Sequence, residues 1–327
     1  MNRSLNALLI CVRAATLGIW AGCSTVPIVV PSTQPVEESP FQQLAQLDLS
    51  SELLYHTIAD QADVKGYARQ LELQSDLAKP FTPTEIMVVR ESFLRSLKVM
   101  LFDLAPAQFW QRHLTHYYEA RLSASEAQLL VKAYERDVRE PHARLQELRR
   151  TFVDGRVPEL LPAVRARSFR IEISNDAMAP TLVPGDHVLL HKAAYHTAEP
   201  ERSDVVVYRY PDEDGKRFLH RVIGIPGDRV EVRAQVVLVN GQLFPETSVQ
   251  HTDRASMAGN VRDNLGPVIV PADTYFVMGD NREQSLDSRF LGPISKEHIL
   301  GKAVAIFWSV DPSTRSPRWE RLNQPVR

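Results

Sequence analysis

Four short stretches hold most of the chemistry-bearing side chains of this chain. The first is Ser174-Asn175-Asp176-Ala177-Met178-Ala179-Pro180-Thr181-Leu182, with Pro184-Gly185-Asp186 behind it. The second is Ser203-Asp204-Val205-Val206-Val207-Tyr208, and the third is His220-Arg221-Val222-Ile223-Gly224-Ile225-Pro226-Gly227-Asp228. The fourth is Gly279-Asp280-Asn281-Arg282-Glu283-Gln284-Ser285-Leu286-Asp287-Ser288-Arg289, followed by Gly292. His220 carries an imidazole, the side chain that titrates nearest neutral pH. Asp280, Arg282, Asp287 and Arg289 suit a charged, hydrogen-bonded corner, and Gly224, Gly227 and Gly279 suit tight turns. Two other histidine groups have the residue type for metal binding without the spacing. His113-x-x-His116 has no third ligand nearby in sequence, so an exposed polar face is expected there. On a strand, His187 and His191 share a face about 13 Å apart, too far for one ion. Together with His196 they read as a solvated strand edge. No metal and no cofactor is expected.

Taken in order, the four stretches resemble the motifs of the signal peptidase I family, over roughly residues 168–310. Ser203 to Tyr208 looks like the family's Arg-Gly-Asp-Val-Val strand, and the stretch from Gly279 resembles its most distinctive box. The resemblance implies a mainly β fold and a serine endopeptidase that cleaves signal peptides from exported proteins. In such an enzyme a serine hydroxyl attacks a carbonyl beside small residues, and a lysine kept neutral by an apolar site takes the proton. One branch of the family uses histidine instead. The oxyanion is held by the nucleophile's own N–H and a nearby side-chain hydroxyl, and the peptide adds as a β-strand.

Aligned through Met178, Pro180, Thr181 and Leu182, the nucleophile position is Ala177, and a methyl group cannot attack a carbonyl. The general-base position is His220, beside Arg221, and Gly227 and Asp228 close its segment. Asn175 stands at the oxyanion-hole position, where its amide N–H can substitute for a hydroxyl. Ser285 matches the serine that positions the base. Asp280 or Asp287 could orient the imidazole, which would complete a Ser-His-Asp arrangement if a serine were present. Gly279, Asn281, Arg282, Ser288 and Arg289 fall in the structural part of the last box.

Loss of the nucleophile costs a serine protease about 10⁶ in turnover. Ser174, on an extended strand, would point to the opposite face from Ala177 and lie about 10 Å away, and Thr181 is no better placed. Histidine in place of lysine and the departure at Asn175 accompany the alanine, which points to natural drift across the site. The expected function is therefore that of a catalytically impaired member acting as a peptide-binding or assembly factor. One alternative is an active endopeptidase whose nucleophile lies elsewhere or whose native serine was replaced in cloning. Another is a structural lipoprotein whose helical part makes the contacts.

The elements that must position these residues show in the glycine distribution. Of 14 glycines only Gly66 lies between Cys23 and Asp154, while eleven lie from Gly155 onward. Gly-poor periodic sequence reads as helix, and Gly/Pro-punctuated short runs read as strand. Residues 43–160 are expected to be a helical domain of unknown role. Capping boxes stand at Thr82-Pro83-Thr84-Glu85 and at Ser123-x-x-Glu126. The first helix carries Ile86, Val89, Phe93, Leu97, Met100, Leu101 and Leu104 at 3–4 spacing and should stop near Pro106. The second carries Leu129, Leu130, Ala133 and Tyr134. Strands are expected at 169–173, 187–191, 205–210, 218–225, 229–232, 236–239, 274–278 and 303–308, with a long exposed loop over 247–265 and a tail at 311–327. The fold class is α+β: an all-helical domain followed by a mainly antiparallel β domain.

The N-terminus reads as export machinery. Arg3 opens a basic region, apolar runs flank Arg13, and no uncharged run reaches the 18 residues of a spanning helix. The segment ends Ile19-Trp20-Ala21-Gly22-Cys23, which resembles a bacterial lipoprotein signal peptide over residues 1–22 with lipidation at Cys23. Ser24 after the cysteine favours the outer over the inner membrane, and residues 23–42, with four prolines, read as a tether. An exported, lipid-anchored, periplasm-facing protein is expected, with signal-peptide-like segments as partners. The chain of 327 residues carries 38 basic and 40 acidic side chains, net -2. That balance excludes nucleic acid as the main partner, and the two cysteines, Cys11 and Cys23, exclude a disulfide framework.

Overall fold

A computed structural model describes residues 38–75, 77, 79–103, 107–136, 142–165, 168–210, 216–246, 248–252 and 260–327. The expected signal peptide, Cys23 and most of the tether lie outside the described residues. No helix among the described residues is long and apolar enough to cross a membrane.

The N-terminal half is helical: α1 (Pro40–Ser50), α2 (Leu53–Asp60), α3 (Val64–Gln74), α4 (Pro83–Lys98), α5 (Ala107–Glu119), α6 (Ala124–Arg136) and α7 (Ala143–Arg165). Both expected capping boxes form. Thr82 accepts from the N–H of Glu85 while Glu85 accepts from that of Thr82, and Ser123 and Glu126 do the same. α4 runs on into a π-helical segment, Val99–Asp103. α1 begins at Pro40, inside the expected tether, on its own Ser39–Gln42 box. The change in glycine usage at Gly155 is not a helix end. Phe152, Val153, Val157 and Leu160 are buried, and their packing carries α7 through Gly155 and Pro158 to Arg165. Leu44, Leu54, Trp110, Leu114, Tyr118 and Phe152 centre this helical core.

Beyond it the chain is antiparallel β. The strands are β1 (Ser168–Glu172), β2 (Asp186–His191), β3 (Val205–Arg209), β4 (Arg217–Gly224), β5 (Arg229–Arg233), β6 (Val236–Val239), β7 (Gln242–Leu243), β8 (Leu265–Ile269), β9 (Thr274–Met278), β10 (Ile294–Ser295) and β11 (Ile299–Ser309). They form a seven-stranded sheet, β1-β2-β11-β3-β4-β9-β10, and a four-stranded sheet, β7-β6-β5-β8. Ile223, Val230, Val237, Phe276 and Met278 pack between the two. The one-turn helix α8 (Ser288–Leu291) follows β9.

Two features go beyond the sequence expectation. The tail at 311–327 packs on the sheet: Leu322 and Val326 are buried, and the Asn323 and Val326 N–H groups donate to the Ile306 and Val304 carbonyls. The polar stretch after residue 247 is only partly a loop. Gln250 bridges in parallel to Asn281, Asp263 is buried, and β8 starts at Leu265, while residues 253–259 lie outside the described residues. The helical half docks on the large sheet through Ala68, Leu71, Phe81 and Val89, which meet Leu189, Phe307, Trp308 and Leu322. Two hydrogen bonds fix this joint, from Ser92 to the Phe307 carbonyl at 3.2 Å and from Trp308 Nε1 to Ser75 at 2.8 Å.

Candidate active site

Three segments converge: the loop after β1, the paired strands β3 and β4, and the loop between β9 and α8. Alternation along β4 sends His220 and Arg221 to opposite faces. Across β3–β4, His220 lies opposite Val206 and Tyr208 opposite Phe218, so the Tyr208 side chain reaches His220 on the diagonal. Its hydroxyl lies 2.8 Å from Nδ1. The other imidazole nitrogen, Nε2, is 3.1 Å from Ser285 Oγ, and Ser285 donates to Asp287 Oδ2 at 2.7 Å.

Asp287 is the hub of the corner. It accepts from the Gly279 N–H at 3.0 Å, from Ser285, and from Arg289 Nε and Nη2 at 2.9 and 2.8 Å. Burial opposes its ionisation, but the Arg289 guanidinium and the other donors outweigh burial and hold the carboxyl below the usual carboxylate range. His220 is 2 % exposed. Burial pushes its pKa down to about 4 against the pull of Asp287, so the imidazole is neutral near pH 7.

Ala177 is tied into the same corner by its backbone. Its carbonyl accepts from the Asn281 N–H at 3.1 Å, and its N–H donates to Asn175 Oδ1 at 3.1 Å. Gly279 makes this approach possible, since a Cβ there would overlap the Ala177 carbonyl oxygen and Ser285 Oγ. Gly279 and Gly224 therefore serve close packing rather than the expected turns. Only Gly227 of the three has a left-handed φ, +87°. Arg221 grips Asp280 with two bonds of 2.8 and 2.6 Å, and Thr181 also donates to Asp280. Arg282 donates to the Gly279 carbonyl and pairs with Glu246. Gln250 straps this loop, donating to the Asp280 carbonyl and accepting from the Arg282 N–H.

With this geometry in view, comparison with known proteins is specific. Residues 160–308 match the family model described as "Signal peptidase, peptidase S26". A signal peptidase I of Leptolyngbya laminosa is 37% identical over 160 residues, 46% of this chain and 74% of its own length. The chain belongs to the signal peptidase I family. A probable signal peptidase I-2 of Synechocystis sp. is 35% identical over 50% of this chain and 73% of its own. The signal peptidase I of Pseudomonas aeruginosa is 29% identical over 62% and 90%. The solved signal peptidase I of Enterococcus faecalis V583 matches at 29% identity over 32% of this chain and 96% of its own, with a TM-score of 0.27.

In this signal peptidase I fold, the structure links Ser285, Asp287, Arg289 and Gly279 to His220, and Gly279 packs against Ala177, which bonds Asn175 and Asn281. It separates others. Asp280 does not reach His220, being held by Arg221 and Thr181. Asp287 reaches the imidazole only through Ser285, so neither carboxylate orients it directly as a Ser-His-Asp arrangement needs. Asn175 turns its carbonyl oxygen, not its NH₂, toward the Ala177 N–H, which differs from the amide-donor role expected for it. Ser288 serves structure, its Oγ accepting from the Val277 N–H at 2.9 Å. Met178 is core, Pro180 follows a cis peptide, and Asp228 is bound bidentate by Arg202. Ser174 is exposed on the loop. His116 bonds Glu119, His113 lies against the Phe109 ring, and His187 against Phe307.

Sequence reasoning missed Tyr208, Glu246 and Gln250. The first was reachable: antiparallel pairing of the two adjacent β runs places Tyr208 two residues along from the partner of His220.

Proposed function

We propose that this signal peptidase I family member binds extended segments with small residues, of the kind found at signal-peptide cleavage sites, and does not cut them. The observation that carries this reading is the position of Ala177. Its carbonyl is held by the Asn281 N–H and its N–H by Asn175, beside the corner of Gly279, Ser285 and Asp287, yet it presents a methyl group where the family's chemistry needs a hydroxyl. The backbone donor that would stabilise an oxyanion is spent on Asn175, a competing acceptor, which removes a second element of catalysis. Lipidation at Cys23 would place such a binder at the surface of the cell envelope, facing the periplasm, where exported chains emerge.

The test uses the soluble chain starting at residue 24. It is titrated with a fluorescent peptide spanning an Ala-x-Ala site, and the peptide is then examined by mass spectrometry. Saturable binding at micromolar concentration with the peptide intact is expected. Specific cleavage would overturn the reading and direct the search for a nucleophile to Ser174. Absence of binding at high micromolar concentration would overturn it in favour of a scaffold role.

A further inference from the structure

The hydrogen-bond chain through His220 has a direction, and the direction fixes the imidazole's tautomer. Asp287 is ionised and can only accept, so the Ser285 hydroxyl hydrogen points at Asp287 Oδ2, 2.7 Å away. Ser285 Oγ then meets His220 Nε2, 3.1 Å away, with a lone pair, so Nε2 must carry the proton. In a neutral imidazole the lone pair falls on Nδ1. Nδ1 is the atom that faces the Tyr208 hydroxyl at 2.8 Å, and Tyr208 therefore donates. All four side chains are buried, where each unmatched donor or acceptor is costly, so the order of donors is enforced along the whole chain.

We propose that Tyr208, acting with Ser285 and Asp287 from the other side, locks His220 as the neutral Nε2–H tautomer. Both ring nitrogens are then occupied, and the imidazole is a structural donor rather than a base. A base acting through Nε2 would need the opposite tautomer. Nδ1–H would then donate to Tyr208, whose own hydroxyl hydrogen would have to turn away from the imidazole. Ser285 would also have to abandon Asp287 for Nε2. Tyr208 is thus a positioning residue that works through His220. The lock stands whether or not the groove binds peptide, so the two readings fail separately.

The tautomer is read directly by nitrogen-15 NMR of the histidine-labelled soluble chain at pH 7. Nδ1 is expected in the range of a bare, hydrogen-bonded ring nitrogen, and Nε2 in the range of a protonated one with an attached proton. Tyr208→Phe is expected to shift Nδ1 toward the value of an unbonded lone pair and leave Nε2 protonated. Ser285→Ala is expected to shift Nε2 and leave Nδ1 in place. A general loss of packing would broaden or move both signals in both variants. A wild-type spectrum with the proton on Nδ1, or with both tautomers in exchange, overturns the proposal even if neither variant folds. So does a Tyr208→Phe spectrum in which Nδ1 is unmoved. Ala177→Ser adds a functional arm. Cleavage of the Ala-x-Ala peptide no faster than by the wild-type chain is expected, and cleavage that His220→Ala abolishes would refute the lock while leaving peptide binding to stand or fall on its own titration.

Discussion

At the scale of single residues, burial decides what His220 can do. An unfolded histidine titrates near 6.5, whereas the buried one titrates at about 4. Above pH 6.5 both states are neutral and the residue adds no pH dependence. As pH falls from 6.5 to 4 the unfolded chain takes up a proton that the folded chain refuses, so folding stability declines, by about 3 kcal/mol over the window. We predict that urea unfolding of the wild-type chain between pH 7 and pH 4.5 shows this decline, and that His220→Gln flattens it. Asp287 in the same corner acts lower, since it is held below the usual carboxylate range. Equal slopes in the two proteins would mean that His220 is accessible to protons. Asn175 gives a second prediction. Its oxygen competes for the Ala177 N–H, so Asn175→Ala releases a donor for a ligand carbonyl. One hydrogen bond contributes about 0.5–1.5 kcal/mol, or roughly 2–10-fold in affinity. Tighter binding of the Ala-x-Ala peptide by that factor is expected in anisotropy titrations. Weaker binding would show that Asn175 itself touches the ligand.

At the scale of elements, local rules were read well and long-range ones were not. The capping boxes at Thr82 and Ser123 close within four residues, so nothing distant can override them. Removing the Thr82 cap is accordingly expected to cost about 0.5–2 kcal/mol, read as a lowered urea midpoint for Thr82→Ala at unchanged slope. Strand runs with clear turn signals, such as β6 and β9, were legible to the residue. β7 and β10 are too short to carry a period, and β8 contains Gly266 and Pro267, which read as loop until β5 supplies the pairing. The boundary drawn from glycine usage, with the helical domain at 43–160, falls inside α7, which runs to Arg165. The sequence cannot display the buried face of Phe152, Val153 and Val157 that compensates for Gly155 and Pro158. The site divides in the same way. Ala177, His220 and Ser285 stand out in the sequence because their motifs are contiguous. Which of Asp280 and Asp287 serves the imidazole depends on how the chain turns after Gly279, and that turn is set by Arg221 on β4 and Arg289 on α8.

At the scale of the whole molecule, the helical half and the sheet share a joint rather than a linker. Residues 39–327 form one compact unit, and Trp308 lies in the cluster that joins its helices to its sheet. Its ring meets Phe81 edge-on at 5.9 Å and Trp319 at 5.9 Å, its Nε1 donates to Ser75 on the helical side, and it is 1 % exposed. A joint of this kind couples the stabilities of its two sides, because neither can unfold without exposing Phe81, Leu189, Phe307 and Leu322. The soluble chain is therefore expected to unfold in one transition, with far-UV circular dichroism, dominated by α1–α7, superimposing on tryptophan fluorescence, to which Trp308 and Trp319 contribute from the joint and Trp110 from the helical core. Trp308→Ala removes the ring that both sides share and is expected to cost about 3–5 kcal/mol. The loss falls on the coupling itself, so the two signals should separate, circular dichroism following the helical core and fluorescence adding the transition at Trp319 to that at Trp110. If the wild-type signals already part, the helical half folds on its own and contributes nothing to holding the strands that carry His220. If they stay together even in Trp308→Ala, the coupling runs instead through β1, which follows directly on α7, and the joint is secondary.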